Sequence, residues 1–285
     1  MEVDCRECAG CCIDWRSIAP DGVELDHERR GAFVPIDGTY NLVPLSGDEI
    51  RRFIREGLGD ALTPRLFVAD DDERSVRIGG RRLAALDDRP VFLIGLRKPP
   101  KPVAPFGTEP RWLPSCVFLD PTTLQCRIHG SETFPDACRT YPADNLALGT
   151  DTECERVEAA FGGERLLDRD PDGATPRFGP GALGGTVFVH PEPSRIRDSV
   201  EQIAAGELTA DDRAEFAAIA AATSPGTLDV DDTRYDRARQ RILGTSSWVG
   251  AAIELWEARL EETPDPSLAV DVEESRGASP TDGWD

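Results

Sequence analysis

Four cysteines crowd into the first twelve residues as Cys5-x2-Cys8-x2-Cys11-Cys12, and four more follow at Cys116, Cys126, Cys138 and Cys154. None lies beyond residue 154. Thiolates are soft ligands for zinc and iron–sulfur clusters, so this density points first to metal chemistry. A disulfide framework suits a small secreted domain better than a chain of 285 residues with eight cysteines. Cysteines buried only for packing would not carry polar flanks such as Asp4, Arg6, Glu7 and Asp14. The candidate metal ligands are therefore Cys5, Cys8, Cys11, Cys12, Cys116, Cys126 and Cys138, with Cys154 as a candidate additional ligand.

Spacing limits how these thiols can act together. On a straight helix Cys5 and Cys12 would stand about 10 Å apart along the axis, too far for zinc–sulfur bonds of about 2.3 Å to gather all four. The segment must loop, or part of it must share a centre with the downstream cysteines. Adjacent residues such as Cys11 and Cys12 seldom point at one ion, which favours the shared arrangement. Closing the loop of about 104 residues between Cys12 and Cys116 costs roughly 4 kcal/mol. A structural zinc contributes about 10–16 kcal/mol, enough to offset that closure. The Cys-x2-Cys-x2-Cys core matches the bacterial ferredoxin run without its trailing Cys-Pro, and more than four thiols favour an iron–sulfur cluster over zinc. The radical S-adenosylmethionine spacing is absent, because Trp15 stands where its third thiol belongs.

Other residues carry weaker signals. Cys126-x2-His129 has a zinc-compatible spacing, but His129 reads as a turn residue before Gly130. His27 lies in a charge run, His190 at a strand end, and Arg139 beside Cys138 reads as an ordinary pair with Asp136. The acidic runs at 70–73 and 229–232 lack a calcium-loop pattern. No dinucleotide-binding glycine motif, phosphate-loop lysine or nucleophile elbow occurs, so catalytic and substrate-binding residues stay unassigned.

The elements that must position the thiols are legible in part. Ser46-Gly-Asp-Glu49 is a capping box and predicts a helix over 47–56. Residues 66–69 and 75–78 predict one hairpin, and 116–120 with 124–128 predict a second that brings Cys116 near Cys126. Residues 97–105 read as a proline-rich extended linker. Pro135 suits the first turn of a helix carrying Cys138. The glycine- and proline-rich stretch 163–185 reads as a boundary, followed by helical patterns at 194–205, 209–222 and 231–262, weakened at 244–247. The expectation is an α+β protein. A small irregular metal-organised cysteine domain with short hairpins spans 1–160, a loop 161–193, a helical region 194–262 and a disordered acidic tail 263–285.

At this point a family likeness emerges. Cys5-x2-Cys8-x2-Cys11-Cys12 resembles the signature of the zinc- or iron-chelating CxxCxxCC family, the YkgJ-like cysteine-cluster proteins. Residues 43–53 are similar to that family's Leu-Thr-x-x-Glu-Ile helix. Cys116-Val-Phe-Leu, Cys126-Arg-Ile and Phe134-Pro-Asp-Ala-Cys138-Arg-Thr-Tyr-Pro142 resemble its closing motifs. The likeness covers about 1–145, and the chain departs from it at His129, where an aromatic is usual, and at Phe134, which replaces an arginine. It implies a metal, zinc or iron, and carries over the cysteines alone. Relatives among flagellin lysine N-methylases add an enzymatic alternative, an S-adenosylmethionine-dependent lysine methyltransferase-like protein or an oxidoreductase with a structural or electron-carrying cluster.

Charge narrows the partners. Fifty-three acidic against 32 basic residues give a net charge of −21, which disfavours nucleic-acid backbones and anionic membranes as partners. Of the 32 basic residues only Lys98 and Lys101 are lysine; the other 30 are arginine. Acid excess with arginine replacing lysine predicts a salt-adapted host, a halophilic archaeon. No apolar run reaches the roughly 20 residues of a membrane span, and no secretory signal is visible at the N-terminus, so a cytoplasmic location is expected.

Overall fold

The computed structural model describes residues 2–23, 25, 33–69, 74–171 and 182–281, and among them the chain is mixed α+β. In chain order come strand β1 (Phe33–Pro35), helix α1 (Gly47–Arg55) and strands β2 (Leu62–Ala69), β3 (Ser75–Ile78), β4 (Arg81–Leu86) and β5 (Arg89–Leu96). Strands β6 (Pro100–Val103) and β7 (Arg111–Pro114) precede helices α2 (Asp136–Thr140), α3 (Ala143–Ala147) and α4 (Glu153–Phe161). Strand β8 (Phe188–Val189) is followed by helices α5 (Arg197–Ala205), α6 (Ala210–Ala222), α7 (Asp232–Gly244), α8 (Trp248–Ala258) and α9 (Ala269–Val272).

These elements form two compact units that share the chain in alternation. One comprises Met1–Leu25, Arg97–Pro176 and Trp248–Asp285; the other comprises Asp26–Leu96 and Arg177–Ser247. The order along the sequence thus differs from the succession of cysteine domain and helical region expected above. All eight cysteines fall in the first unit.

The second unit is an antiparallel sheet in the order β1-β2-β4-β5-β8, with β3 beside β4. Helix α1 starts as the sequence predicts: Ser46 Oγ accepts from the Glu49 amide and Glu49 returns a bond to the Ser46 amide at 2.7 Å, while Ile50, Phe53 and Ile54 turn inward. Leu62, Leu66, Phe92, Ile94 and Phe216 are buried, and Phe92 meets Phe216 edge-on with centroids 5.0 Å apart. The hairpin expected between 66–69 and 75–78 is not formed. Strand β3 pairs instead with β4, from Ser75↔Ala84 to Ile78↔Arg81. The turn between them is Gly79-Gly80, both at positive φ, the geometry that matches strand twist in a two-residue hairpin.

In the first unit, the stretch read as a proline-rich linker is strand β6, antiparallel to β7 from Pro100↔Pro114 to Val103↔Arg111. A two-stranded sheet has only edge strands, where prolines without a donor are tolerated. The stretch read as a disordered tail is folded over residues 266–278. Ala269 and Val272 pack with Ala252 and Trp256. Buried Glu273 takes Lys101 Nζ at 2.6 Å, Arg127 Nε at 2.8 Å and Trp256 Nε1 at 2.9 Å. Acidic composition looked like solvation, but here one acid satisfies two buried cations. Among the described residues no helix is long and apolar enough to cross a membrane.

Candidate metal centre

The N-terminal cysteines sit on a loop of consecutive turns, not on a helix. Cys8 N donates to Cys5 O at 3.2 Å, Cys12 N to Ala9 O at 2.8 Å and Ile13 N to Ala9 O at 3.1 Å. Glu7 and Ala9 have φ of 57° and 52°, a left-handed conformation that costs an ordinary residue about 1–3 kcal/mol and that clusters at functional sites. Gly10 is required by contact: a Cβ there would meet Val157 Cγ2 at 2.7 Å, with Cys8 Sγ and Glu153 Cγ at 3.6 Å. The loop therefore lies directly on α4, the helix that carries Cys154. Thr152 and Glu155 form a capping box at its start, and Trp15 Nε1 donates to Glu153. Upstream, Val3 bridges Leu166 and Asp4 N donates to Arg165 O at 2.7 Å.

The downstream cysteines reach the same loop through Cys12 and Ile13. Cys116 N donates to Cys12 O at 2.8 Å, and Ile13 bridges Ser115. The predicted second hairpin exists as a tight loop with one bridge, Leu119↔Cys126, supported by Arg127 N donating to Phe118 O at 2.8 Å. Cys138 lies on α2, which starts after Pro135. All eight thiols are free; Cys8, Cys116 and Cys154 are buried and the others partly so.

Electrostatics confirm that the thiols are neighbours. The Cys11 and Cys12 sulfurs stand 3.9 Å apart, and the hydrogen bond between them, aided by Lys98, holds Cys11 below the ordinary thiol range. The same bond, together with burial, pushes Cys12 well up. Burial raises Cys5 and Cys126 to about 12 and also raises Cys8, Cys116, Cys138 and Cys154. Negative charge on Cys11 acts on each of the other seven thiols in the same direction. Among the described residues no three His, Cys, Asp or Glu side chains are set to hold an ion as they stand. The donor set is nonetheless all sulfur, which suits zinc or an iron–sulfur cluster and not a hard cation.

The side chains of the remaining candidates make other contacts. His129 is exposed and meets Phe134 edge-on at 4.9 Å. Arg139 stands 3.8 Å from Asp136 and over the Phe134 ring. His190 is fully buried after β8, where its Nδ1 accepts from Glu192 N at 3.2 Å. Asp231, in the second acidic run, caps α7. His27, the acidic run 70–73 and residues 179–181 of the glycine-rich stretch lie outside the described residues.

Sequence reasoning missed Lys98 and Lys101. Lys98 Nζ donates to Cys11 O at 3.3 Å, and fully buried Lys101 donates to the carbonyls of Val117 and Leu119, both at 2.7 Å. The signal was present: the chain's two lysines, among 30 arginines, sit three residues apart upstream of Cys116.

A family model described as a family of unknown function (DUF7531) matches residues 1–285. No curated protein and no solved structure matches the chain.

Proposed function

We propose, from the premise that this chain belongs to DUF7531, a family of unknown function, that it is a cysteine-ligated metal protein of the YkgJ-like kind. Its centre ties the N-terminal loop to the 116–138 region, with an iron–sulfur cluster favoured over zinc. The observation that carries this reading is the bond from Cys116 N to Cys12 O at 2.8 Å, across about 104 residues of chain. Cysteines, soft donors, gather there, and a metal would offset the closure entropy and the strained loop. A bound iron–sulfur cluster would supply one-electron transfer; zinc would supply rigidity.

This chain's own residues have definable parts in that role. The turns at Glu7 and Ala9 and the Gly10 contact aim the N-terminal thiols, while the loop closed by Leu119 and Cys126 aims the downstream ones. Lys98 supplies positive charge beside Cys11 and so favours its thiolate, the form that ligates. The test is metal and acid-labile sulfide analysis of protein purified without oxygen, with its visible spectrum. Iron with matching sulfide and a brown absorption is expected, and Cys8→Ser or Cys138→Ser should lower the metal content. A metal-free wild-type protein, or unchanged stoichiometry in both variants, would sink the reading.

A further inference from the structure

We propose that the eight thiols form two four-thiolate centres, Cys12, Cys116, Cys126 and Cys138 in one, and Cys5, Cys8, Cys11 and Cys154 in the other. This rests on the metal-binding reading above and extends it to a second centre that includes Cys154, which lies outside the resemblance to the cysteine-cluster family.

Donor count is the first argument. A structural zinc takes four ligands and an iron–sulfur cubane four cysteines, so one centre leaves four of eight neighbouring thiols unused. The second argument is the way the fold supports them. Cys116 and Cys126 lie on one closed loop, Cys116 is bonded to the Cys12 backbone, and α2 delivers Cys138. Cys5 and Cys8 lie on the run before Gly10, which sets Cys8 Sγ beside Glu153 and Val157 of α4, residues near Cys154 on that helix. The bridge between Val3 and Leu166 pins the same run to the chain that leaves α4.

Cys11 and Cys12 are the seam, 3.9 Å apart at sulfur. Adjacent residues seldom serve one ion, which sends them to different centres.

The test is cobalt(II) titration of the full-length, demetallated protein, followed by thiolate-to-metal absorption and by alkylation read out by mass spectrometry. Two ions per chain are expected, with all eight cysteines protected at saturation. The double variant Cys5→Ser with Cys154→Ser should halve the bound cobalt and leave Cys116, Cys126 and Cys138 protected. The double variant Cys126→Ser with Cys138→Ser should lose the other half. The wild-type alkylation pattern decides the matter even where a variant does not fold. Saturation at one ion with Cys5, Cys8 and Cys154 alkylated would overturn the second centre and leave the metal-binding reading standing. A chain that binds no cobalt and takes up no cluster on anaerobic reconstitution with iron and sulfide would overturn both.

Discussion

The sheet unit buries Leu62, Leu66, Phe92, Ile94 and Phe216 around ordinary strand pairing, with Glu49 and Arg65 among its few buried charges, whereas the cysteine unit, beside apolar residues such as Trp15 and Trp256, buries Lys101, Arg127, Asp120, Glu153 and Glu273. The first set is stabilised by area removed from water, a non-directional force that tolerates exchange among apolar residues. The second depends on directional partners, because a buried charge without its partner is expensive. In one chain, then, two different answers exist to the problem of holding short elements together. The cysteine unit has the two-stranded sheet β6–β7, short helices and long turns, and so gains least from regular pairing.

Metal removal should expose this contrast most strongly. Chelation is expected to loosen the cysteine unit by as much as the metal contributes, about 10 kcal/mol or more, while the sheet unit keeps its protection. Hydrogen exchange with and without chelator reads each unit separately, and equal loss in both would break the comparison. The same experiment has a pH sign. Burial holds Cys5 and Cys126 up at about 12 against 9.0 for the free thiol, so metal must displace protons, and affinity should fall as pH falls.

Glu273→Gln tests the ionic half of the contrast. It leaves buried Lys101 with a neutral partner and Arg127 with Asp120 and Glu274 as its remaining acids, and a loss of about 3–5 kcal/mol is expected in urea unfolding. A change below about 1 kcal/mol would mean that the carbonyls of Val117 and Leu119 suffice for Lys101. A smaller effect, about 1–3 kcal/mol, is expected for Gly10→Ala, because the added methyl meets the stiff, fully buried Val157. Metal content should fall with it if the loop must lie on α4. Smallest is Ser46→Ala in the sheet unit, about 1 kcal/mol by thermal melting, with metal content unchanged. A fall in metal there would tie the two units together energetically.

Local signals were readable where one short segment decides the outcome. The capping box at Ser46 and Glu49, the helices after residue 194 and the closed loop holding Cys116 and Cys126 follow from neighbouring residues alone. The meeting of the N-terminal cysteines with Cys116 was readable, though the looped path with Glu7 and Ala9 at positive φ was not, since neither residue type advertises it. Long-range partners defeated the reading of 97–105 and of the acidic end. Pro100 and Pro102 become a strand only because β7 lies beside them, and Glu273 leaves water only because Lys101 and Arg127 wait for it. The β3–β4 pairing is of another sort, because Gly79-Gly80 is itself a local turn signal.

The alternation of the chain between its two units has a consequence during synthesis. Cys5 leaves the ribosome early, but Glu273, which seats the buried cations beneath the Cys116 loop, follows 268 residues later. At about 5–20 residues per second the thiols wait roughly 10–50 s before their unit can close. Over that interval they are open to oxygen and to competing ions, so the proposed centre would require either protection of the Cys5–Cys12 segment during synthesis or loading after release.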